Sequence, residues 1–544
     1  MLNVFPKETA SMLTRDGVRL DADIYRPDAE GEFPVLLMRQ PYGKAIASTV
    51  VYAHPTWYAA QGYIVVIQDV RGRGTSEGEF KLFSHEIEDG FDTVNWAANL
   101  PGSNGNVGMY GFSYQGMTQL YAAAAHPPAL KVVCPAMIGY DLYTDWAYEN
   151  GAFCLQANLG WAIQLATETA RLQRDEKAYQ ALFTASRNLP LYDQIPARPE
   201  ILQNLAPDSF YHEWLDHPQP GEYWEISPKQ HLQDVDLPML HVGGWFDNFL
   251  RGTLHLYKEM ASRSAFYQRL VIGPWAHLPW GRKVGNVDYG AEANSSIDKL
   301  QIRWFDQFLK GIDTGLLNES PVNLFEMGSN KWRFFETFPS DNHKSYFLQS
   351  SGLASMRDDA GKLVRQAKEF IENSSDVLVH DPWRPVPALG GHATIPAGSF
   401  DRSSLDCRTD ILIYTSEPLE SDLHLAGDVV VEVYASADTP CFDLFAVLSE
   451  VRTDGSVYNF TQGYVRVESN QEAPLKIILQ ATCARLNKGN CLRLSLSAAC
   501  FPAYPVNPGT GSPPGETALI AAQIITLTVQ SGKDFPSQIL LPLV

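Results

Sequence analysis

"VGMYGFSYQGMTQLYAAAAHPP", residues 107–128, joins a short apolar run, a serine set between glycines, and an alanine-rich helical pattern. A buried strand that turns sharply into a helix reads this way, and it puts Ser113 at the top of the turn. Gly111 and Gly116 let the backbone reverse there without side-chain clashes. The helix that follows aims its N-terminal dipole at developing negative charge, and the backbone N–H of Tyr114 is a candidate oxyanion donor. The second glycine falls one residue later than in G-x-S-x-G. Ser113 alone therefore fits a structural turn as well as a nucleophile, and the rest of the chain must decide.

Around this stretch, from about residue 17 to 145, strand patterns alternate with helical ones. "VRLDADIYRP" (18–27) alternates apolar and polar residues, as a half-exposed strand does, while "FPVLLMRQP" (33–41) and "YIVVIQDVRG" (63–72) are continuous apolar runs of strands covered on both faces. Helix is expected around "STVVYAHPTWYAAQG" (48–62) and "IEDGFDTVNWAANLP" (87–101). Such alternation predicts a largely parallel sheet in an α/β domain. Residues 155–188 are long and helical in period, a helical insertion, after which the α/β texture returns in "PMLHVGGWFDNF" (238–249), "RLVIGPWAH" (269–277) and "DKLQIRWFDQFLKGI" (298–312). Beyond about residue 345 short strand signals separated by Asp, Gly, Ser and Pro turns predict a β-sandwich of roughly 200 residues. The Pro-rich "HDPWRPVPALGG" (380–391) reads as an ordered surface loop.

Length and charge bound the function. A chain of 544 residues is too long for one core. The expected division is a first core part at 1–140, a helical cap at 141–232, a second core part at 233–342 and the sandwich at 343–544. A formal charge of −20 argues against nucleic acid or an anionic membrane as partner. The first residues lack an apolar run of signal-peptide length and no later stretch reaches membrane-span length, so the expected location is cytoplasmic. Seven scattered cysteines form neither a disulfide framework nor a CxxC zinc pair, and neither metal nor cofactor is expected.

Two residues further along raise the odds for Ser113. Asp247 follows the apolar run "PMLHVGG" and His277 follows "RLVIG", each at a strand's carboxyl end. Serine, acid and histidine in that order, all at the carboxyl edge of an open α/β sheet, are the arrangement of a hydrolase triad. In it His277 takes the proton of Ser113, and Asp247 fixes the imidazole and stabilises its cation. His255, in the helical "FLRGTLHLYKEM", is read as packing. "DVRGRGTSEGEF" (69–80) spaces its glycines as GxGxxxG without a Walker lysine, so it is read as a loop bracing the site and not as a phosphate cradle. Glu86, Glu88 and Asp89 read as a helix start, not as a glycosidase pair.

"RDGVRLDADIYRP", "RQPYGK", "VIQDVRGRGTSEGEF", "GNVGMYGFSYQGMTQ", "GGWFDNF" and "VIGPWAH" together resemble the cocaine esterase and X-prolyl dipeptidyl peptidase family of serine hydrolases, its bacterial cocaine esterase branch above all. The resemblance runs from about residue 12 to the C-terminus. It implies an α/β-hydrolase core, an inserted helical cap and a C-terminal jelly-roll. It also implies that Tyr42 of "QPYGK" gives its hydroxyl to the oxyanion hole beside the Tyr114 N–H, and that Trp146, Trp161 and Phe249 line the acyl pocket. Relatives that hydrolyse α-amino acid esters clamp an ammonium with carboxylates, where this chain has Asn248, Phe249 and Leu250. Asp145 stands as the one remaining acid, a weak trap for an amine. The family's dipeptidyl peptidases carry a further N-terminal domain, for which no room is expected before residue 12.

The expected activity is thus a serine esterase acting on small esters with an apolar or aromatic acyl group, without cofactor. The alternatives are an acylase or aminopeptidase cutting amides or α-amino acid esters, including β-lactam side chains, and a catalytically inactive binding protein. The expected partner is a small-molecule ester, with neither nucleic acid nor membrane, and a homodimer is left open.

Overall fold

Alternation along the apolar runs sorts the first half of the molecule into three layers. The computed structural model describes all residues except 47–48, 340–341, 367–371, 469–471 and 514. Ten strands form one sheet: β1 (Glu8–Leu13), β2 (Arg19–Tyr25), β3 (Phe33–Gln40), β4 (Ile64–Asp69), β5 (Ser103–Phe112), β6 (Leu130–Ala136), β7 (Met239–Phe246), β8 (Gln268–Ala276), β9 (Val322–Glu326) and β10 (Lys331–Phe335). Their order is β1-β2-β4-β3-β5-β6-β7-β8-β9-β10. The stretch from β4 to β9 is parallel, and antiparallel pairs close both ends.

Helices α1 (Pro55–Ala59), α2 (Glu86–Ala98) and α3 (Tyr114–Ala124) connect the first strands; α4 (Leu155–Gln173), α5 (Glu176–Arg187), α6 (Glu200–Leu205), α7 (Phe210–Asp216) and α8 (Pro228–His231) lie between β6 and β7. Helices α9 (Leu250–Arg263) and α10 (Ile297–Leu309) follow β7 and β8. Successive strand side chains point to opposite faces. Val35, Leu37, Ile64 and Val66 pack with α2, α3 and the inserted helices. Leu36, Met38, Val65 and Ile67 pack with α1 and α10. Both faces are covered, which is why these strands are apolar throughout.

Three local expectations are corrected. Strand β2 is not half-exposed, because β1 and the loop after β4 cover it. Its alternating acids are buried and paired: Asp23 accepts from Lys7 Nζ (2.6 Å) and Thr9 Oγ1 (2.8 Å), and Asp21 accepts from Ser11 Oγ (2.7 Å) and from Arg19. Among the described residues of the 48–62 stretch the α-helix spans only Pro55–Ala59, and Ser48 lies outside the described residues. The long helical run breaks at Arg174, whose left-handed backbone (φ +60°) ends α4, and Asp175 caps α5 through the Ala178 N–H at 3.0 Å.

After residue 342 the chain forms β11 (His343–Ser350), β12 (Gly361–Val364), β13 (Ser374–His380), β14 (Ile411–Ser416), β15 (Leu423–Ala437), β16 (Phe442–Val451), β17 (Val457–Val467), β18 (Leu475–Leu486), β19 (Cys491–Ser497), β20 (Ile525–Ser531) and β21 (Gln538–Pro542). They run in the order β13-β20-β15-β21-β11-β12-β14-β19-β16-β17, with β18 paired to β15. This is the β-sandwich texture, and its core does not stop at the ten-stranded layer. One apolar cluster contains Trp245, Phe246 and Leu250 of the first half together with Val429, Val431, Ile477 and Leu479 of the second. Within 380–391 the loop is only partly a surface: Trp383 is exposed, but His380 and Val386 are buried. No described helix is long and apolar enough to cross a membrane.

A buried charge cluster also joins the two halves. Glu149 Oε2 meets Arg251 Nη1 (2.7 Å), His392 Nε2 (2.9 Å) and the Tyr504 hydroxyl (2.5 Å), so three separate parts of the chain converge on one oxygen. Burial opposes ionisation of Glu149, but Arg251 and His392 outweigh it and hold its carboxyl well below the usual range. Breaking such a pair strands a charge in a dry interior, which costs about 3–5 kcal/mol. Arg251→Met is expected to destabilise the protein by about that amount in denaturant titration, and the double variant with Glu149→Gln to recover part of it. The folded carboxyl lies below its unfolded value of about 4.3. Its contribution is therefore complete above that pH and fades as acid protonates it.

Candidate active site

Ser113 sits between β5 and α3 with φ +58° and ψ −128°, a conformation that ordinary residues rarely hold. Neighbours on both sides enforce it. A Cβ on Gly111, itself at φ +141°, would fall 2.4 Å from the Gln115 Cβ, and one on Gly116 would fall 2.4 Å from Ile138 Cγ2 and 2.9 Å from the Ala136 carbonyl oxygen. The Ser113 N–H donates to the Ala136 carbonyl (2.9 Å), and its own carbonyl accepts from the Gly116 and Met117 N–H groups. The Tyr114 N–H, first in α3, has no acceptor within the helix.

The tyrosine ring of Tyr114 does separate work. It stacks on Phe83 (centroids 4.8 Å apart), and its hydroxyl donates to Glu86 Oε1 at 2.8 Å. Glu86 Oε2 takes the Arg39 guanidinium at 2.6 Å, and Arg39 Nε reaches Gln68 Oε1 at 2.8 Å. Glu86 does begin α2, yet it also ties the start of α3 to β3 and β4. Nothing local in the sequence marks that second role, because its partners are 28 and 47 residues away.

Asp247 and His277 come out at the carboxyl ends of β7 and β8, the same edge of the parallel sheet on which Ser113 follows β5. His277 Nδ1 lies 2.9 Å from Asp247 Oδ1, with Asp247 fully buried and the imidazole partly open. A carboxylate offers only acceptors, so Nδ1 carries the proton and Nε2 is left free to accept one. The ring of Phe112, the residue before Ser113, packs on His277 at 5.4 Å, and Phe249 packs on it at 5.1 Å.

Tyr42 lies in the turn after β3. Its N–H donates to Gln40 Oε1 (2.9 Å), and the Lys44 N–H donates to buried Asp69 (2.6 Å). Asp69 also accepts from the Thr75 N–H (3.1 Å) and Lys44 Nζ (3.1 Å). The glycine-rich loop at 69–80 is thus wrapped around the chain's own carboxylate. A Cβ at Gly74 would fall 2.0 Å from Asp69 Oδ2. The Tyr42 hydroxyl accepts a hydrogen bond from Trp161 Nε1 at 3.1 Å and lies against the Ser113 side chain. Burial pushes it up to about 12, with Trp161, Arg73 and Ser113 pulling the other way. The hydroxyl therefore keeps its proton through neutral pH.

Trp146, Trp161 and Phe249 form one wall. Trp146 lies 5.0 Å from Trp161 and 4.3 Å from Phe249, centroid to centroid, and Phe83, Phe210 and Trp214 extend the cluster behind them. Arg73, not singled out by sequence, ties the loop to α4 through the Leu165 carbonyl and Thr169 Oγ1, both at 3.2 Å, and lies 3.9 Å over Phe80. Burial lowers its pKa to about 10.

Two acid–base expectations change. His255 is not a packing residue: it is half-exposed and its Nδ1 meets Asp145 Oδ1 at 2.8 Å. Asp145 is buried, and its carboxylate also accepts from the Asp141 N–H (2.8 Å) and Thr144 Oγ1 (3.1 Å). Its oxygens are engaged by the turn that it caps.

A mostly parallel sheet, covered by helices on both faces and carrying a positive-φ serine at a strand–helix junction, defines an α/β-hydrolase with a β-rich C-terminal domain. Residues 16–279 match the X-Pro dipeptidyl-peptidase (S15 family) model, and residues 314–539 match the X-Pro dipeptidyl-peptidase C-terminal non-catalytic domain. The chain is 30% identical to the cocaine esterase of Rhodococcus sp. (strain MB1 Bresler), over 97% of each chain. It belongs to this family of serine hydrolases and esterases. Among solved structures, an aminopeptidase from the marine sediment archaeon Thaumarchaeota archaeon matches with TM-score 0.82 at 23% identity, covering 100% of this chain and 97% of that one. An α-amino acid ester hydrolase matches with TM-score 0.77 at 22% identity over the same shares. These two likenesses concern the fold.

The packing at Gly116 yields a direct test. Gly116→Ala must push α3 away from β6, so it is expected to lower stability by about 1–3 kcal/mol in thermal or denaturant unfolding and to impair turnover with it.

Proposed function

We propose that the chain is a serine esterase for small esters with an apolar or aromatic acyl group, working through an acyl-Ser113 intermediate. The observation that carries this reading is the 2.9 Å contact between His277 Nδ1 and buried Asp247, on the sheet edge of a serine held at positive φ whose preceding residue, Phe112, packs on the imidazole at 5.4 Å. His277 Nε2 takes the Ser113 proton as Oγ attacks the ester carbonyl. The carbonyl oxygen becomes an oxyanion that accepts from the Tyr114 N–H and the Tyr42 O–H. Trp161 donates to the Tyr42 oxygen, which leaves the Tyr42 proton free to point at the substrate. The imidazolium, stabilised by Asp247, returns its proton to the departing alcohol. Water then repeats the sequence and releases the acid.

Trp146, Trp161 and Phe249 favour a flat or apolar acyl group, since burying it there removes apolar surface from water at about 25 cal/mol per Å². The acylase or aminopeptidase alternative needs a carboxylate to hold an amine. Asp145 is a poor candidate, because its oxygens already serve Asp141, Thr144 and His255. The esterase relative supports the same preference.

Two experiments test this. Ser113→Ala is expected to fold normally, to lose fluorophosphonate labelling and to lose nearly all turnover, keeping at most roughly 10³–10⁴ over water. In the wild-type enzyme, N-blocked and amine-free aromatic esters are expected to be hydrolysed at least as well as free α-amino esters. The reverse order would favour the amide-cutting alternative, and an unlabelled wild-type Ser113 a binding protein. Tyr42→Phe removes one donor while keeping the ring. It is expected to lower kcat by about 10²–10³ with little change in KM, because the bond strengthens only as charge develops. Near-normal kcat would assign the oxyanion to other donors.

A further inference from the structure

The geometry points to Gln480, from the C-terminal domain, as a positioning residue for the triad acid. Gln480 lies in β18 and is buried, and its Nε2 donates to two backbone carbonyls of the catalytic layer, those of Trp245 and Asp247, both at 2.9 Å. The proposal rests on the reading of Ser113, His277 and Asp247 given above.

The local structure of β18 explains how the side chain gets there. Along this strand Lys476 and Ile478 face solvent, whereas Gln480 and Thr482, next on the same face, are buried. The ladder with β15 shifts register at this point: Thr482 pairs with Gly427 and Leu479 with Val429, so Gln480 and Ala481 stand opposite the single residue Asp428. Such a bulge bends the strand and re-aims a side chain. A few residues on, β18 bonds to the end of β9, through the Met327 N–H to the Cys483 carbonyl (3.0 Å) and the Arg485 N–H to the Met327 carbonyl (2.8 Å). Gln480 is therefore delivered from a strand anchored on both sides.

What it grips is the turn that aims Asp247. After β7 the backbone reverses through the Asp247 N–H to the Gly244 carbonyl (3.1 Å) and the Leu250 N–H to the Asp247 carbonyl (3.2 Å). Bridging the carbonyls of residues 245 and 247 fixes the pitch of that turn. The carboxylate itself has little else to hold it. Oδ1 faces His277, and Oδ2 is buried without a hydrogen-bond partner among the described residues. Its direction is thus set by its backbone, and that backbone is pinned by Gln480. The Gln480 Oε1 is buried without a hydrogen-bond partner among the described residues, so what the side chain contributes is its Nε2 and the two bonds that it donates. Only the amide can donate to both carbonyls at once.

The test is Gln480→Met, which keeps length and volume and removes the donor. Rates are counted per fluorophosphonate-titrated site, so loss of folded protein does not enter. The expected result is a fall in kcat of about ten- to a hundredfold with KM within about twofold, because misplacing a catalytic group acts on the chemical step. The acid limb of the kcat/KM profile is expected to move to lower pH, since a less well aimed Asp247 stabilises the His277 cation less. A purely structural stitch would lower the melting temperature and leave both readouts at their wild-type values, and that result overturns the proposal. Where Gln480→Met does not accumulate, Gln480→Leu, which also lacks the donor and adds no charge, is judged by the same two readouts. Undiminished turnover in Ser113→Ala would instead remove the triad reading itself, whatever Gln480 does.

Discussion

The backbone at Ser113 is the constraint from which the rest of the site follows. A residue at φ +58° carries strain on the order of 1–3 kcal/mol and stays there only if its surroundings forbid relaxation. Gly111 and Gly116 supply the close contact that makes relaxation impossible. The Glu86 carboxylate, shared between Tyr114 and Arg39, then locks the start of α3 to the sheet. The same turn ends β5 at Phe112 and makes the Tyr114 N–H the first of α3, where it has no acceptor within the helix. The nucleophile and the oxyanion donor proposed for this site are thus two consequences of one dihedral angle.

The two halves of the chain are better described as one body than as a catalytic unit with an appendage. A single apolar cluster runs from the strand bearing the acid into the sandwich, and the Glu149 cluster draws on both. Ordinary contacts between domains are polar and permit relative motion. Here opening would break the bonds that His392 Nε2 (2.9 Å) and the Tyr504 hydroxyl (2.5 Å) make across the joint to the Glu149 carboxylate, which Arg251 holds from the first half. Arg251, two residues beyond Phe249, makes the wall of the pocket part of that joint.

Much of this was legible in the sequence for physical reasons. Strands buried on both faces must be apolar, so 33–41 and 63–72 announced a covered sheet, and Ser113, Asp247 and His277 each followed such a run. Tyr42 and the aromatic wall came only from resemblance, because nothing local tells a turn tyrosine from one beside a nucleophile. Strand β2 misled because its acids alternate like a solvent face, although β1 pairs and covers them. His255 was misread because its partner, Asp145, is 110 residues earlier and reached only through the inserted turn. Gln480 left no mark at all, since a glutamine inside a strand acquires meaning only from the bulge and the carbonyls opposite.

The bond from Trp161 to Tyr42 makes one side chain answer to two demands. In the proposed esterase it limits the size of the acyl group as part of the aromatic wall, and as a donor it directs the tyrosine proton. A smaller residue there would admit bulkier acids and at once let that proton wander. Trp146 and Phe249 touch the same space but hold no such proton. Phe249 also packs on His277 at 5.1 Å, so under the proposed reading Trp146 is the position at which a larger acyl group can be admitted while both the tyrosine proton and the imidazole keep their neighbours.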